Sequence, residues 1–303
     1  MLCITWVIIL LTGNERRDIL KAIFVYGTLR KNEKNHHYLN KAVCLYEQAW
    51  IHGKLFDTKK GYPVMKEVNG EKIYGEVYQV SDEQLATINQ LEGYTEDGPN
   101  NLYERKTVTV HVDNEKKLEA ITYITGKSLA DSNLTIPFGD WKVYQYLKNK
   151  PLYYFAYGSC MDDDRFKLAN VQHYFQSVSG KGVLDNHGFR FSRSSSDGGK
   201  ADIIESPGEI IEGVVYKILV DAMDYLYERE GVFVNAYRPA VVSLQLNNSE
   251  IIEAITFIGT EKADETKPTI KYATEIIRGA EGILSDHYIE KLKQRINKLT
   301  LFS

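Results

Sequence analysis

Phe24-Val25-Tyr26-Gly27-Thr28-Leu29, near the start of the chain, returns as Phe155-Ala156-Tyr157-Gly158-Ser159-Cys160. An apolar run that stops at glycine is the pattern of a buried strand that turns sharply at its end. Outward from this pair, Ile73-Tyr74-Gly75-Glu76-Val77-Tyr78 matches Ile211-Glu212-Gly213-Val214-Val215-Tyr216, and Leu91-Glu92-Gly93-Tyr94 matches Arg229-Glu230-Gly231-Val232. Tyr103-Glu104-Arg105 matches Tyr237-Arg238-Pro239, and Leu118-Glu119-Ala120-Ile121-Thr122-Tyr123 matches Ile252-Glu253-Ala254-Ile255-Thr256-Phe257. The separations are 131, 138, 138, 134 and 134 residues. Five matches in the same order at near-constant spacing mean a duplicated domain. The seam falls at Lys148-Asn149-Lys150-Pro151, charged and closed by proline. Two domains are therefore expected, over 21–147 and 152–303, after an apolar extension over 1–20.

Composition agrees with two soluble cores. The chain has 303 residues, 43% hydrophobic and 26% charged, room for two domains of ordinary size. Thirty-seven Lys+Arg against 41 Asp+Glu give a net charge of −4, which argues against nucleic acid as a partner. The three cysteines, Cys3, Cys44 and Cys160, are scattered, which excludes a disulfide framework and a thiolate zinc site. No histidine pair stands at helical spacing beside a carboxylate, so no metal site is written. Leu2–Leu11 is apolar, about half of what a membrane-crossing helix needs. It also lacks the basic start of a signal peptide. It reads as an extra element on the core or as a start codon placed too far upstream, and the protein as cytoplasmic, without a membrane partner.

Within each copy, β-rich runs outnumber helical ones. Strands are expected at Ile23–Tyr26, Ile73–Val80, Thr107–Val112, Ala120–Ile124 and Tyr153–Tyr157. Helices are expected from Ser81-Asp82-Glu83-Gln84 toward Leu91, at Lys271–Ala280 and at Asp286–Lys298. Too few helices separate the strands for a doubly wound sheet, so the fold class is α+β, a mixed domain on a curled sheet.

Two repeated features carry chemistry. After each Tyr-Gly, the amides of Thr28-Leu29 and Ser159-Cys160 can converge on an anion, with the Thr28 or Ser159 hydroxyl as a further donor. Taken alone, this is also an ordinary tight turn. Glu92 and Glu230 each precede a glycine and stand among apolar or aromatic neighbours, Leu91 and Tyr94 in one copy, Val232 and Phe233 in the other. Such surroundings disfavour the charged carboxylate and raise its pKa toward that of a general base near neutral pH. A single such glutamate would read as a helix end before a capping glycine; its recurrence favours the functional reading.

Taken together, Tyr-Gly-Thr-Leu, Leu-Glu-Gly-Tyr and Tyr-x-Arg resemble the gamma-glutamylcyclotransferase-like superfamily, over nearly the whole chain from about Ala22. The first copy is similar to its gamma-glutamylamine cyclotransferase branch. The second is similar to gamma-glutamylcyclotransferase itself, through Gly198–Ile203, Ser206-Pro207-Gly208, Gly213–Tyr216, Tyr272 and Ile276–Ala280. The resemblance implies a small mixed β-barrel with flanking helices in each copy, and a reaction that converts a small-molecule gamma-glutamyl compound to 5-oxoproline and a free amine or amino acid without a cofactor. It implies Glu92 and Glu230 as general acid/base. Tyr26, Gly27, Thr28 and Leu29 would bind substrate in one copy, and Tyr157, Gly158, Ser159, Cys160 and Tyr272 in the other. The family places Asn where Cys160 stands, and the first copy lacks a counterpart of Tyr272. The alternative is a catalytically degenerate module that binds a small ligand through the same turn. Oligomeric state is not written in the sequence. A Cys160–His173 nucleophile pair is disfavoured because Leu29 occupies the matching place. Asp162-Asp163-Asp164 reads as a helix start, and Arg190, Arg193 and Ser194–Ser196 as an exposed loop.

Overall fold

The computed structural model describes residues 20–113, 115–126, 134–149 and 151–301. The expectation for the apolar extension over 1–20 lies outside them apart from Leu20. The first copy contains β1 (Lys21–Val25), β2 (Val43–His52), β3 (Lys54–Asp57), β4 (Pro63–Lys66), β5 (Lys72–Val80), α1 (Asp82–Leu91), β6 (Tyr103–His111), β7 (Lys117–Thr125), β8 (Leu134–Thr135) and α2 (Trp141–Tyr146). The second contains β9 (Leu152–Ala156), α3 (Asp163–Leu168), β10 (Val178–Arg193), β11 (Lys200–Ile218), α4 (Ala222–Arg229), β12 (Tyr237–Leu246), β13 (Ile251–Gly259), α5 (Ile270–Ala280) and α6 (Asp286–Leu301).

Strands β1-β5-β2-β6-β7 close into one barrel, and β9-β11-β10-β12-β13 close into another in the same order. The duplication extends to individual bonds. β1 runs parallel to β7 and β9 parallel to β13. Thr122 Oγ1 donates to Phe24 O at 3.0 Å, and Thr256 Oγ1 to Phe155 O at 2.9 Å. Tyr26 OH donates to Tyr123 O and Tyr157 OH to Phe257 O, both at 2.6 Å. The expected α+β class with a mixed barrel in each copy is what the structure has.

The matched glycines have one steric cause. A Cβ on Gly75 would lie 2.3 Å from Val25 O and 2.6 Å from the Phe24 ring; on Gly213 it would lie 2.4 Å from Ala156 O and 2.5 Å from the Phe155 ring. The strand after the turn thus crosses the opening strand too closely for any side chain. Gly75→Ala and Gly213→Ala are each expected to destabilise by about 2–3 kcal/mol, measured as a lower urea midpoint at unchanged slope. Wild-type stability in either variant would contradict the packing.

Local chemistry accounts for the helices. Ser81 and Gln84 form a reciprocal capping box at the start of α1, and the Asp162 side chain accepts from Asp164 N–H at the start of α3, as the acidic run implies. Arg190 and Arg193 differ from expectation, because they lie on β10. That strand and β11 form a long hairpin that reaches the first barrel, where Glu47 N–H donates to Glu205 Oε1 at 2.5 Å and Glu205 N–H to Asp113 Oδ2 at 3.2 Å. The helix α2 serves both barrels. Trp141 is buried in the first core, whereas Val143 and Tyr146 are buried in the second.

Candidate functional site

In the first copy, β1 ends at Val25 and the chain folds back at once. Arg30 N–H donates to Gly27 O at 3.0 Å, and Asn35 N–H to Thr28 O at 2.8 Å. A Cβ on Gly27 would come within 2.8 Å of Pro63 Cγ, so the turn packs against β4 only with glycine there. Opposite it, α1 ends at Glu92, whose N–H donates to Ile88 O at 2.9 Å. Gly93 follows with φ 61°, the left-handed conformation that closes helices. The cap at Ser81 and the stop at Gly93 thus place Glu92 by local rules. It shares one cavity of about 250 Å³ with Tyr26, Gly27, Thr28 and Leu29. Tyr62, Pro63, Leu102, Tyr103 and Tyr123 complete the wall.

Burial in this aromatic cavity pushes the Glu92 carboxyl up to about 7. The cavity tyrosines are raised too, Tyr103 and Tyr123 by burial first and by Glu92 next. Their hydroxyls brace the walls: Tyr103 OH donates to Pro63 O at 2.9 Å and Tyr123 OH to Asn89 Oδ1 at 2.6 Å.

In the second copy, Tyr157, Gly158, Ser159, Cys160, Glu230 and Tyr272 meet around a chamber of only about 30 Å³. Ser159, Glu230, Tyr237 and Tyr272 also line an adjoining polar cleft of about 440 Å³. The Cys160 thiol donates to Glu230 Oε1 at 3.2 Å. Burial pushes that thiol up to about 12, which keeps it protonated. Burial also raises Glu230, opposed by Arg229, Cys160 and Arg165. Tyr272 OH accepts from Ala201 N–H at 3.2 Å, and Arg229 Nη2 donates to Ser159 Oγ at 3.4 Å.

Each turn named from the sequence therefore shares a cavity with its glutamate, and Tyr272 joins the second set. His173 is not the partner of Cys160; its ring lies against Tyr174, tilted by 45° at 4.0 Å between centroids, and the thiol donates to Glu230. Arg193 and Ser195 border the outer cleft. The sequence reading assigned no role in the site to Tyr62, Tyr103, Tyr123, Arg229 or Tyr237. Tyr103, Tyr123, Arg229 and Tyr237 stand within repeated elements, whereas Tyr62 has no such signal. Among the described residues no group of three His, Cys, Asp or Glu could hold a metal ion, and no helix is long and apolar enough to cross a membrane.

Two family models match the chain in tandem. Residues 23–143 match the family model for gamma-glutamyl cyclotransferase, AIG2-like, and residues 210–292 match the AIG2-like family. The chain is 42% identical to YkqA of Bacillus subtilis (strain 168) over 280 residues, 91% of this chain and 98% of that protein. The crystal structure of YkqA superposes with a TM-score of 0.83 at 39% identity, covering 93% of this chain and 99% of that one. The gamma-L-glutamyl-butirosin B gamma-glutamyl cyclotransferase of Niallia circulans is 38% identical over 130 residues, 43% of this chain and 80% of that enzyme. The gamma-glutamylcyclotransferase of Mus musculus is 31% identical over 144 residues, 46% of this chain and 76% of its own.

Proposed function

The chain belongs to the gamma-glutamyl cyclotransferase, AIG2-like family of enzymes, and from that premise we propose that it cyclises a small gamma-glutamyl compound to 5-oxoproline with Glu92 as general acid/base. One observation carries this reading: Glu92 and the turn at Tyr26–Leu29 line the same 250 Å³ cavity. The amides of the turn would take the substrate's α-carboxylate. Glu92 accepts a proton from the α-ammonium, and the freed amine attacks the substrate's own γ-carbonyl carbon. A new C–N bond closes the five-membered ring, the bond to the leaving nitrogen breaks, and that nitrogen departs as an ammonium, taking the proton returned by Glu92 and the second proton shed by the ring nitrogen. Both reactants sit in one molecule, so holding them in line supplies much of the rate. A panel of gamma-glutamyl amines, amino acids and peptides, assayed for 5-oxoproline, tests the proposal. No product from any of them would end it.

For the second copy, a reading as a ligand-binding module is favoured by a specific contact. The Cys160 thiol occupies one oxygen of Glu230, and the chamber enclosed around the turn is about 30 Å³ against about 250 Å³ in the first copy, with the polar cleft of about 440 Å³ outside it. In a Glu92→Gln variant, a gamma-glutamyl ligand is then expected to raise the melting temperature with little or no 5-oxoproline formed. Turnover in that variant near the wild-type rate would instead make the second copy the working enzyme.

A further inference from the structure

We propose that Arg238, a residue of the second barrel, is a positioning residue for the first barrel's turn, acting through Asp140 and Arg30. The inference rests on the reading above, in which that turn holds the substrate's carboxylate.

Arg30 directly follows the turn and is 3% exposed. Its Nε donates to Glu76 Oε1 at 3.0 Å and its Nη1 to Asp140 Oδ1 at 2.7 Å. The other oxygen of Glu76 accepts from Lys31 N–H and from Tyr78 OH, both at 2.8 Å. The end of the turn is thus clamped between two buried carboxylates. Asp140 Oδ1 also accepts from Val143 N–H at 3.1 Å, capping α2. Its Oδ2 has no hydrogen-bond partner, and the cation it faces is Arg238 Nη1 at 3.7 Å. The Arg238 guanidinium stacks on Tyr74 at 4.0 Å, and its Nη2 donates to Gln48 Oε1 at 2.5 Å. Both contacts belong to the first barrel.

Charge balance makes the second barrel's contribution necessary. Glu76 and Asp140 bring two negative charges to the clamp and Arg30 only one positive charge. The other nearby cations are engaged elsewhere, Lys142 with Glu253 at 2.7 Å and Lys31 with Glu47 at 2.8 Å. Arg238 supplies the missing charge, and a buried carboxylate left without it is costly. The second copy has no such need, because Met161 and Val214 stand where the matched spacing puts Arg30 and Glu76, and both are buried. An apolar pair replaces the ion pair there. The second turn is held from within its own barrel, by Arg278 Nε donating to Asp162 Oδ1 at 3.1 Å and Arg229 to Ser159, whereas the buried ion pairs of the first turn draw on the neighbouring barrel.

Without Arg238, Asp140 and Arg30 would repack and shift the turn. A carboxylate contact made equally in the ground state and the transition state affects KM, leaving kcat nearly unchanged. The test uses the full chain carrying Glu230→Gln, which confines turnover to the first copy, with 5-oxoproline release measured against substrate concentration. Arg238→Met is expected to raise KM about tenfold and to change kcat less than about threefold. Arg238→Lys is expected to restore most of the loss. Asp140→Asn should act in the same direction, and the double variant should be no worse than the poorer single one, because the two residues act in one chain. An unchanged KM in Arg238→Met overturns the proposal. So does a loss confined to kcat that follows a lower melting temperature and is not rescued by lysine, which would make Arg238 an interface residue only. Failure of the underlying reading is separately visible, because the Glu230→Gln parent would then release no 5-oxoproline before Arg238 is touched.

Discussion

Replacing Glu92 and Glu230 together by glutamine is expected to lower 5-oxoproline release by roughly 10²–10⁴-fold, the range for loss of a positioned general acid/base. Glutamine keeps the size and the hydrogen-bonding reach of glutamate but cannot take the ammonium proton. The two single variants should not share the loss equally. Glu92 stands in a cavity of about 250 Å³ with burial as its one perturbing influence. Glu230 is tied to the Cys160 thiol at 3.2 Å between a chamber of about 30 Å³ and the outer cleft of about 440 Å³. Glu92→Gln alone should therefore remove most of the activity. Steady-state assays on purified variants, with circular dichroism to check folding, decide the matter; a folded double variant with wild-type turnover would remove the proposed mechanism.

Activity is expected to fall about tenfold for each pH unit below 7, since the proposed base must be unprotonated to accept the first proton. The value for Glu92, about 7 against an ordinary 4.5, places the bend in kcat/KM near neutrality. The same displacement acts on stability with a definite sign. Because the folded state raises the pKa of Glu92, its stabilising contribution is complete below about 4.5 and is lost as the pH rises through 7. Above that point the cost is up to about 3 kcal/mol, from 1.36 kcal/mol per pKa unit. Glu92→Gln should consequently raise the melting temperature at pH 8 while lowering activity, and leave it nearly unchanged at pH 4. A flat pH–rate profile between 5 and 8, or a melting temperature that falls in the glutamine variant at pH 8, would show that Glu92 is not held as an uncompensated buried acid.

Much of the barrel was legible because its strands repeat. β1, β5, β7 and β9 begin or end within about three residues of the expected runs, since each is a continuous β-branched or aromatic stretch stopped by glycine or a polar residue. β6 begins at Tyr103, four residues before its expected start at Thr107, because the polar Tyr-Glu-Arg-Lys segment pairs with β7 and is covered on one face. β2 has no strand signature in the sequence because its burial is irregular: two shifts of register against β5 break the alternation that marks a half-buried strand. The end of β10 reads as a loop in the sequence because Arg190, Ser192 and Arg193 are polar, whereas Phe189 and Phe191, which alternate with them, are buried in the second core.

The amino-acid sequence by itself determined the duplication, the class of fold, the capped helix that ends at Glu92, and which turn and which glutamate recur. These follow from what the chain carries residue by residue: apolar runs, capping chemistry, and the repetition of both at near-constant spacing. Tertiary structure alone decided that the two copies differ in kind. Cavity shape, the thiol seated on Glu230, and the reach of Arg238 to Asp140 across the seam all depend on residues far apart in the chain, 70 positions for the thiol contact. Chain closure brings such pairs together, and no spacing along the sequence records the distance at which they meet.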